Sequence, residues 1–179
     1  MSVFVDTSVW FAAAVKRDHD NARAKSILES TSDHVTSDHV LIETWLLLNS
    51  RYRREVAEDF WDRILRSGVH VEMITRAYLE RARAIAAAFP DQEFSIVDRT
   101  SFAVMERLRI FKAASFDADF SIYRFGPGRT KAFEIVSHGH SEAFSLFSQA
   151  ILQRKQAVFF LSRLVSRGMP AHPRLSAWR

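Results

Sequence analysis

Ser2-Val3-Phe4-Val5-Asp6-Thr7-Ser8-Val9 opens the chain, and the order of residue types in it decides the fold. A short run of β-branched and aromatic residues reads as a buried strand. Asp6-Thr7-Ser8 is cap chemistry for a helix beginning near Val9. A strand thus runs straight into a helix, with a carboxylate at the junction. The same grammar returns late in the chain, where Ile110 to Phe116 is an apolar run of strand length that ends in Asp117-Ala118-Asp119.

Between and beyond these junctions the elements alternate. Asp20 to Ser30 is helical, and His34-Val35-Thr36 is the one short stretch that can be a strand before Ser37-Asp38 opens an apolar helix, Val40 to Leu48. Arg54 to Arg66 sets Val56, Phe60, Ile64 and Leu65 among charges, an amphipathic helix closed by Ser67-Gly68. Val69 to Ile74 alternates apolar and polar residues as a strand does. Thr75 starts a helix that Pro90 stops, Ser95 to Arg109 is helical, and Ala132 to Val136 follows the breaker Gly126-Pro127-Gly128 as a last strand. Strands alternating with helices imply an α/β sandwich with a mainly parallel sheet. Residues 1–136 form that domain; residues 137–179 form a basic, partly helical C-terminal extension, with Phe144, Phe147, Ile151, Val158, Leu161 and Val165 at helical spacing.

Composition narrows the chemistry. The 179 residues include no Cys, which excludes disulfide scaffolds, thiolate metal sites and Cys nucleophiles. Three apolar residues followed by a carboxylate are too few for a secretory leader, so a cytoplasmic protein is expected. The longest apolar run, Val40 to Leu48, is broken by Glu43 and is too short to span a membrane. The net charge is +4, yet residues 128–179 hold eight basic groups against two acids, leaving the body at −2. A basic tail on a weakly acidic body fits either a polyanionic partner or a solvated face.

Each carboxylate has a structural reading and a chemical one. Asp6 is a helix cap or a ligand at the C-terminal edge of a parallel sheet, where α/β folds bind substrates. Glu43 lies in a helix that is apolar nearly all round, so burial on most faces is expected. It then needs a cation, a metal or a wet cleft, unless it pairs with Arg51, Arg53 or Arg54. Asp98 in Ser95-Ile96-Val97-Asp98 fits a capping box, and Asp117 and Asp119 fit turn roles. Taken together, however, parallel strands bring Asp6 and Asp117 to one edge, and the two helical acids can reach it. Carboxylates crowded in that way repel unless a cation compensates, and hard oxygen donors in such number suit Mg²⁺ or Mn²⁺.

Val3-Phe4-Val5-Asp6-Thr7-Ser8, the helical Glu43 after Thr36-Ser37-Asp38, Ser95-Ile96-Val97-Asp98-Arg99-Thr100-Ser101-Phe102 and Ser115-Phe116-Asp117-Ala118-Asp119-Phe120 resemble, in order and spacing, the four acidic motifs of PIN-domain proteins, especially VapC-type toxins. The resemblance covers about residues 2–136. It implies a PIN-like α/β/α sandwich and a Mg²⁺- or Mn²⁺-dependent endoribonuclease, usually a homodimer, restrained by a cognate antitoxin. It also implies Asp6, Glu43, Asp98 and Asp117 as catalytic metal ligands, with Thr7 or Ser8 supporting the metal through a hydroxyl. The family sets its last acid at either of two positions; this chain has both, with Asp117 the first choice and Asp119 the second. The departure from the family is the 43 residues that follow Val136.

Other chemistries fit less well. A phosphotransferase of the haloacid-dehalogenase type needs a second Asp where Ser8 stands. Gly126-Pro127-Gly128-Arg129 lacks a phosphate loop's spacing and lysine, and His138-Gly139-His140 reads as a polar loop. Phe111, Phe116, Phe120, Phe125 and Phe133 are assigned to the core rather than to base stacking, and Arg51, Arg53 and Arg54 to RNA phosphate contact or a solvated face. The alternative to a nuclease is a non-catalytic PIN-like module that binds RNA or protein.

Overall fold

In a computed structural model, residues 1–136 are described. The extension 137–179, with His138-Gly139-His140 and its phenylalanines, lies outside the described residues. Five short strands form one sheet in the order β3-β2-β1-β4-β5: β1 (Val3–Val5), β2 (His34–Ser37), β3 (His70–Glu72), β4 (Lys112–Ala114) and β5 (Glu134–Ile135). All four strand pairings are parallel. The helices are α1 (Thr7–Ala14), α2 (Asn21–Ser30), α3 (Asp38–Arg51), α4 (Arg54–Arg66), α5 (Arg76–Ala88), α6 (Ile96–Leu108) and the short α7 (Asp119–Ile122). The result is an α/β/α sandwich, and no described helix is long and apolar enough to cross a membrane.

β1 is central, and its three residues are buried without exception, as a strand covered on both faces requires. The chain steps from β1 to β2 on one side and later to β4 on the other, so the crevice between the carboxyl ends of β1 and β4 is the switch point at which such sheets take ligands. Asp6 N–H donates to Ala114 C=O at 3.0 Å and ties those two ends together. Behind them sits an aromatic core: Phe102 stacks on Tyr123 at 4.2 Å between centroids and packs edge-on against Phe94 and Phe120. α4 shows why its pattern works, since Ala57, Phe60 and Ile64 are buried while Arg54–Glu58, Arg63–Asp59 and Arg66–Asp62 pair one turn apart outside.

Several expectations from sequence shift in detail. α1 begins at Thr7 rather than Val9, because Asp6 itself is the N-cap and accepts from Ser8 N–H. The strands are shorter than their apolar runs, as packing and pairing end before hydrophobicity does. Phe111 is 46% exposed, stacked on Phe125 at the start of β4 instead of entering the core. The largest correction concerns α3. Val40, Leu41, Thr44 and Leu48 face inward, but Ile42 and Leu46 are 50% and 55% exposed. The helix is therefore two-faced, with an apolar outer stripe.

Candidate metal centre

Asp6 lies at the exit of β1, 4% exposed, and one of its oxygens receives three donors. Oδ2 accepts from Ser8 Oγ at 2.7 Å, Ser115 Oγ at 3.0 Å and Ser8 N–H at 3.2 Å. Burial pushes its carboxyl pKa up, and these donated hydrogen bonds pull against that rise. The cap reading and the site reading of Asp6 are thus both served, by one oxygen engaged in capping while the other is not needed for it.

The hydroxyls extend the arrangement. Ser8 Oγ, besides donating to Asp6, accepts from Phe116 N–H at 2.9 Å, and Ser115 Oγ accepts from Asp117 N–H at 3.0 Å. Asp117 Oδ1 in turn accepts from Asp119 N–H at 2.9 Å, an Asx turn that starts α7. Thr7 Oγ1 donates to Glu43 Oε2 at 2.6 Å. Glu43 therefore points from α3 toward the start of α1, where its carboxylate is half-buried. Ser115 is the polar side chain that sequence reasoning passed over, since a lone serine after a strand has no spacing that marks it.

Asp98 supplies the α6 side. It is 7% exposed and completes the capping box, with Ser95 Oγ accepting from Asp98 N–H at 3.0 Å and Asp98 Oδ2 accepting from Ser95 N–H at 2.6 Å. Asp98, Asp117 and Asp119 each bring one oxygen to a common point, all within 4.8 Å of one another. Neighbouring oxygens around a Mg²⁺ ion stand about 3 Å apart and opposite ones about 4.2 Å, so the three carboxylates draw closer together when they share one small hard cation. Three carboxylates without a sulfur or imidazole among them are donors of the kind Mg²⁺ and Mn²⁺ take. Asp6 and Glu43 flank this trio, joined to it through Ser115 and anchored through Thr7, rather than converging on the same point.

The arginines at the end of α3 are elsewhere. Arg51 lies eight residues from Glu43, about 12 Å along the helix, with its guanidinium over the Phe11 ring at 5.2 Å. Arg54 is engaged with Glu58 at 3.2 Å, and Arg53 precedes α4 as its N-cap.

Comparison with known proteins identifies the family of this fold. The family model described as the PIN domain matches residues 3–126. Two curated relatives, each named 23S rRNA-specific endonuclease VapC20 and coming from Mycobacterium tuberculosis strains CDC 1551 / Oshkosh and H37Rv, are 40% identical over 124 residues, covering 69% of this chain and 95% of theirs. The crystal structure of Mycobacterium tuberculosis VapC20, described as a sarcin-ricin loop cleaving toxin, is similar with a TM-score of 0.64 at 39% identity, over 66% of this chain and 92% of that one. FitAcB from Neisseria gonorrhoeae shares the fold at a TM-score of 0.50 and 18% identity, over 66% of this chain and 89% of its own.

Proposed function

Because the chain belongs to the PIN-domain family, we propose that it is a metal-dependent endoribonuclease, the toxin of a toxin–antitoxin pair, acting on ribosomal RNA as its VapC20 relatives are named to do. The observation that carries this reading is the meeting of Asp98, Asp117 and Asp119 oxygens within 4.8 Å at the switch point of the sheet. Residues 1–136 are the nuclease domain in this reading and 137–179 an extension to it.

Asp98, Asp117 and Asp119 would hold Mg²⁺ or Mn²⁺, with Asp6 and Glu43 flanking. A divalent cation there supplies the acidity that turns water into a nucleophile and offsets charge on the phosphate. The protein's own part is orientation. Ser95 fixes the rotamer of Asp98 through the capping box, Thr7 aims Glu43, and Ser8 with Ser115 holds one Asp6 oxygen. The Asp119 N–H bond orients Asp117. Burial of Asp6 keeps a carboxylate in a place where it is costly without a cation, and that cost favours cation binding.

The soluble toxins of such pairs work in the cytoplasm beside an antitoxin, and that is the setting proposed here. The exposed stripe of Ile42 and Leu46, with Trp45 and Trp61 and the carboxylate of Glu58, lines a groove of about 240 Å³ between α3 and α4. An apolar patch of that kind marks a protein contact, and a second copy of the chain is the occupant proposed.

The test is incubation of the purified chain, free of co-purifying protein, with total bacterial RNA and Mg²⁺ or Mn²⁺, beside an EDTA control, followed by sequencing of new RNA ends. New ends confined to the sarcin–ricin loop of the large ribosomal RNA support the full reading. Ends scattered over other RNAs overturn the substrate while keeping the nuclease. RNA that is bound but never cut returns the non-catalytic module.

A further inference from the structure

We propose that Arg23 binds a backbone phosphate of the RNA next to the bond that is cut; the inference rests on the nuclease reading above. Arg23 lies in the first turn of α2, and its guanidinium carbon sits 4.8 Å from the centre of the Phe116 ring. Phe116 immediately precedes Asp117, and its own N–H is bound by Ser8, the residue that donates to Asp6. The cation is therefore carried on a platform that belongs to the acidic centre, one residue from a carboxylate of the converging trio.

Its partners are poorly matched to it. Arg23 Nε is buried and has no hydrogen-bond partner among the described residues. The carboxylate of Asp20 approaches Arg23 Nη1 only to 3.8 Å, beyond hydrogen-bond distance. Nε faces the interior, so a phosphate meets the terminal Nη groups of the partly exposed guanidinium. A planar guanidinium fixed over an aromatic ring, 21% exposed and with unspent donors, is prepared for an oxyanion, because the fork matches phosphate in a bidentate manner and little freedom is lost on binding. The acidic trio needs such help, since carboxylates alone repel the polyanion they must receive.

The experiment uses the full chain with Asp98→Asn to prevent cutting, and a labelled RNA hairpin of sarcin–ricin loop sequence as probe. Fluorescence anisotropy gives the affinity between about 50 and 200 mM salt. Loss of one phosphate contact in Arg23→Gln should weaken binding about tenfold and reduce the salt slope, log K against log salt, by about 0.7 to 0.9. Arg23→Lys should keep that slope and regain only part of the affinity. In the cutting chain, Arg23→Gln should raise KM about tenfold and leave kcat within about twofold. An unchanged slope and KM in a folded Arg23→Gln protein overturns the proposal and leaves Arg23 a packing residue. Should Arg23→Gln fail to fold, Asp20→Asn decides: freeing the guanidinium from a competing carboxylate tightens binding if the proposal holds, and unchanged or weaker binding contradicts it. A parent chain that neither binds nor cuts the hairpin and ribosomal RNA overturns the nuclease reading, and the phosphate role with it.

Discussion

Ser95→Ala and Asp98→Asn separate two roles that meet in one carboxylate. In the capping box Ser95 Oγ satisfies the Asp98 N–H and Asp98 Oδ2 satisfies the Ser95 N–H. Removing the serine hydroxyl costs about 1 kcal/mol, which in a protein of this size lowers Tm by about 2 to 4 °C. Replacing Asp98 by Asn keeps an acceptor for Ser95 N–H, while the lost charge at the helix N-terminus costs about 0.3 to 1 kcal/mol. Relief of repulsion from Asp117 and Asp119 offsets that loss, so Tm stays within about 2 °C of the parent. Activity should divide the other way. Ser95→Ala retains the carboxylate and loses at most about tenfold in kcat, the lower end for a residue that orients a ligand, whereas Asp98→Asn loses about a hundredfold or more. The assay is thermal unfolding beside single-turnover cleavage of a sarcin–ricin hairpin in Mn²⁺. Cleavage surviving in Asp98→Asn while Tm falls by a full cap's worth would reduce Asp98 to a cap.

Asp6 gives a pH-dependent signature. Its folded pKa is raised above the ordinary 3.8 by burial, so its contribution to stability is full below that value and is lost as pH rises through the folded pKa. Metal-free Asp6→Asn should accordingly match the parent's Tm near pH 4 and exceed it increasingly toward neutrality, as differential scanning fluorimetry will show. Mn²⁺ affinity of the parent should fall as the solution is acidified, since protons and the cation compete for the carboxylates of the site; calorimetric titration at several pH values reads this. Thr7→Val removes the donor that aims Glu43 and should lower Mn²⁺ affinity by about 10- to 100-fold with Tm little changed. Leu46→Glu, at a position 55% exposed, should cost about 0.5 kcal/mol or less in stability and convert the dimer to a monomer in size-exclusion chromatography with light scattering; a parent that is itself monomeric contradicts the second-copy assignment.

How far the sequence carried the reading depends on whether a signal was local. The Ser95–Asp98 box and the Asp6 cap announce themselves by spacing, and the structure contains both bonds. The parallel sheet follows from the alternation of apolar runs with amphipathic ones, and the order of those runs puts β1 and β4 side by side. Nonlocal geometry was less legible. Asp119 stood as an alternative to Asp117, and only the fold brings oxygens of both to the same point as Asp98. The all-round apolar character of Val40 to Leu48 suggested burial, but hydrophobicity alone does not say whether water or a partner covers a face, and Ile42 and Leu46 are on the outside. Arg51 looked near Glu43 along the chain, yet two helical turns separate them. Arg23 gave no signal at all, because its proximity to Phe116 exists only once α2 has packed.

If the converging aspartates make this chain a metal-dependent ribonuclease, cutting must follow the metal. Protein stripped of metal with EDTA and dialysed is given the sarcin–ricin hairpin, with Mg²⁺ or Mn²⁺ then added back. No cutting is expected before the addition, discrete fragments after it, and none at any time from an Asp98→Asn, Asp117→Asn double variant. Fragments that form without metal, or that the double variant yields as fast as the parent, would contradict it.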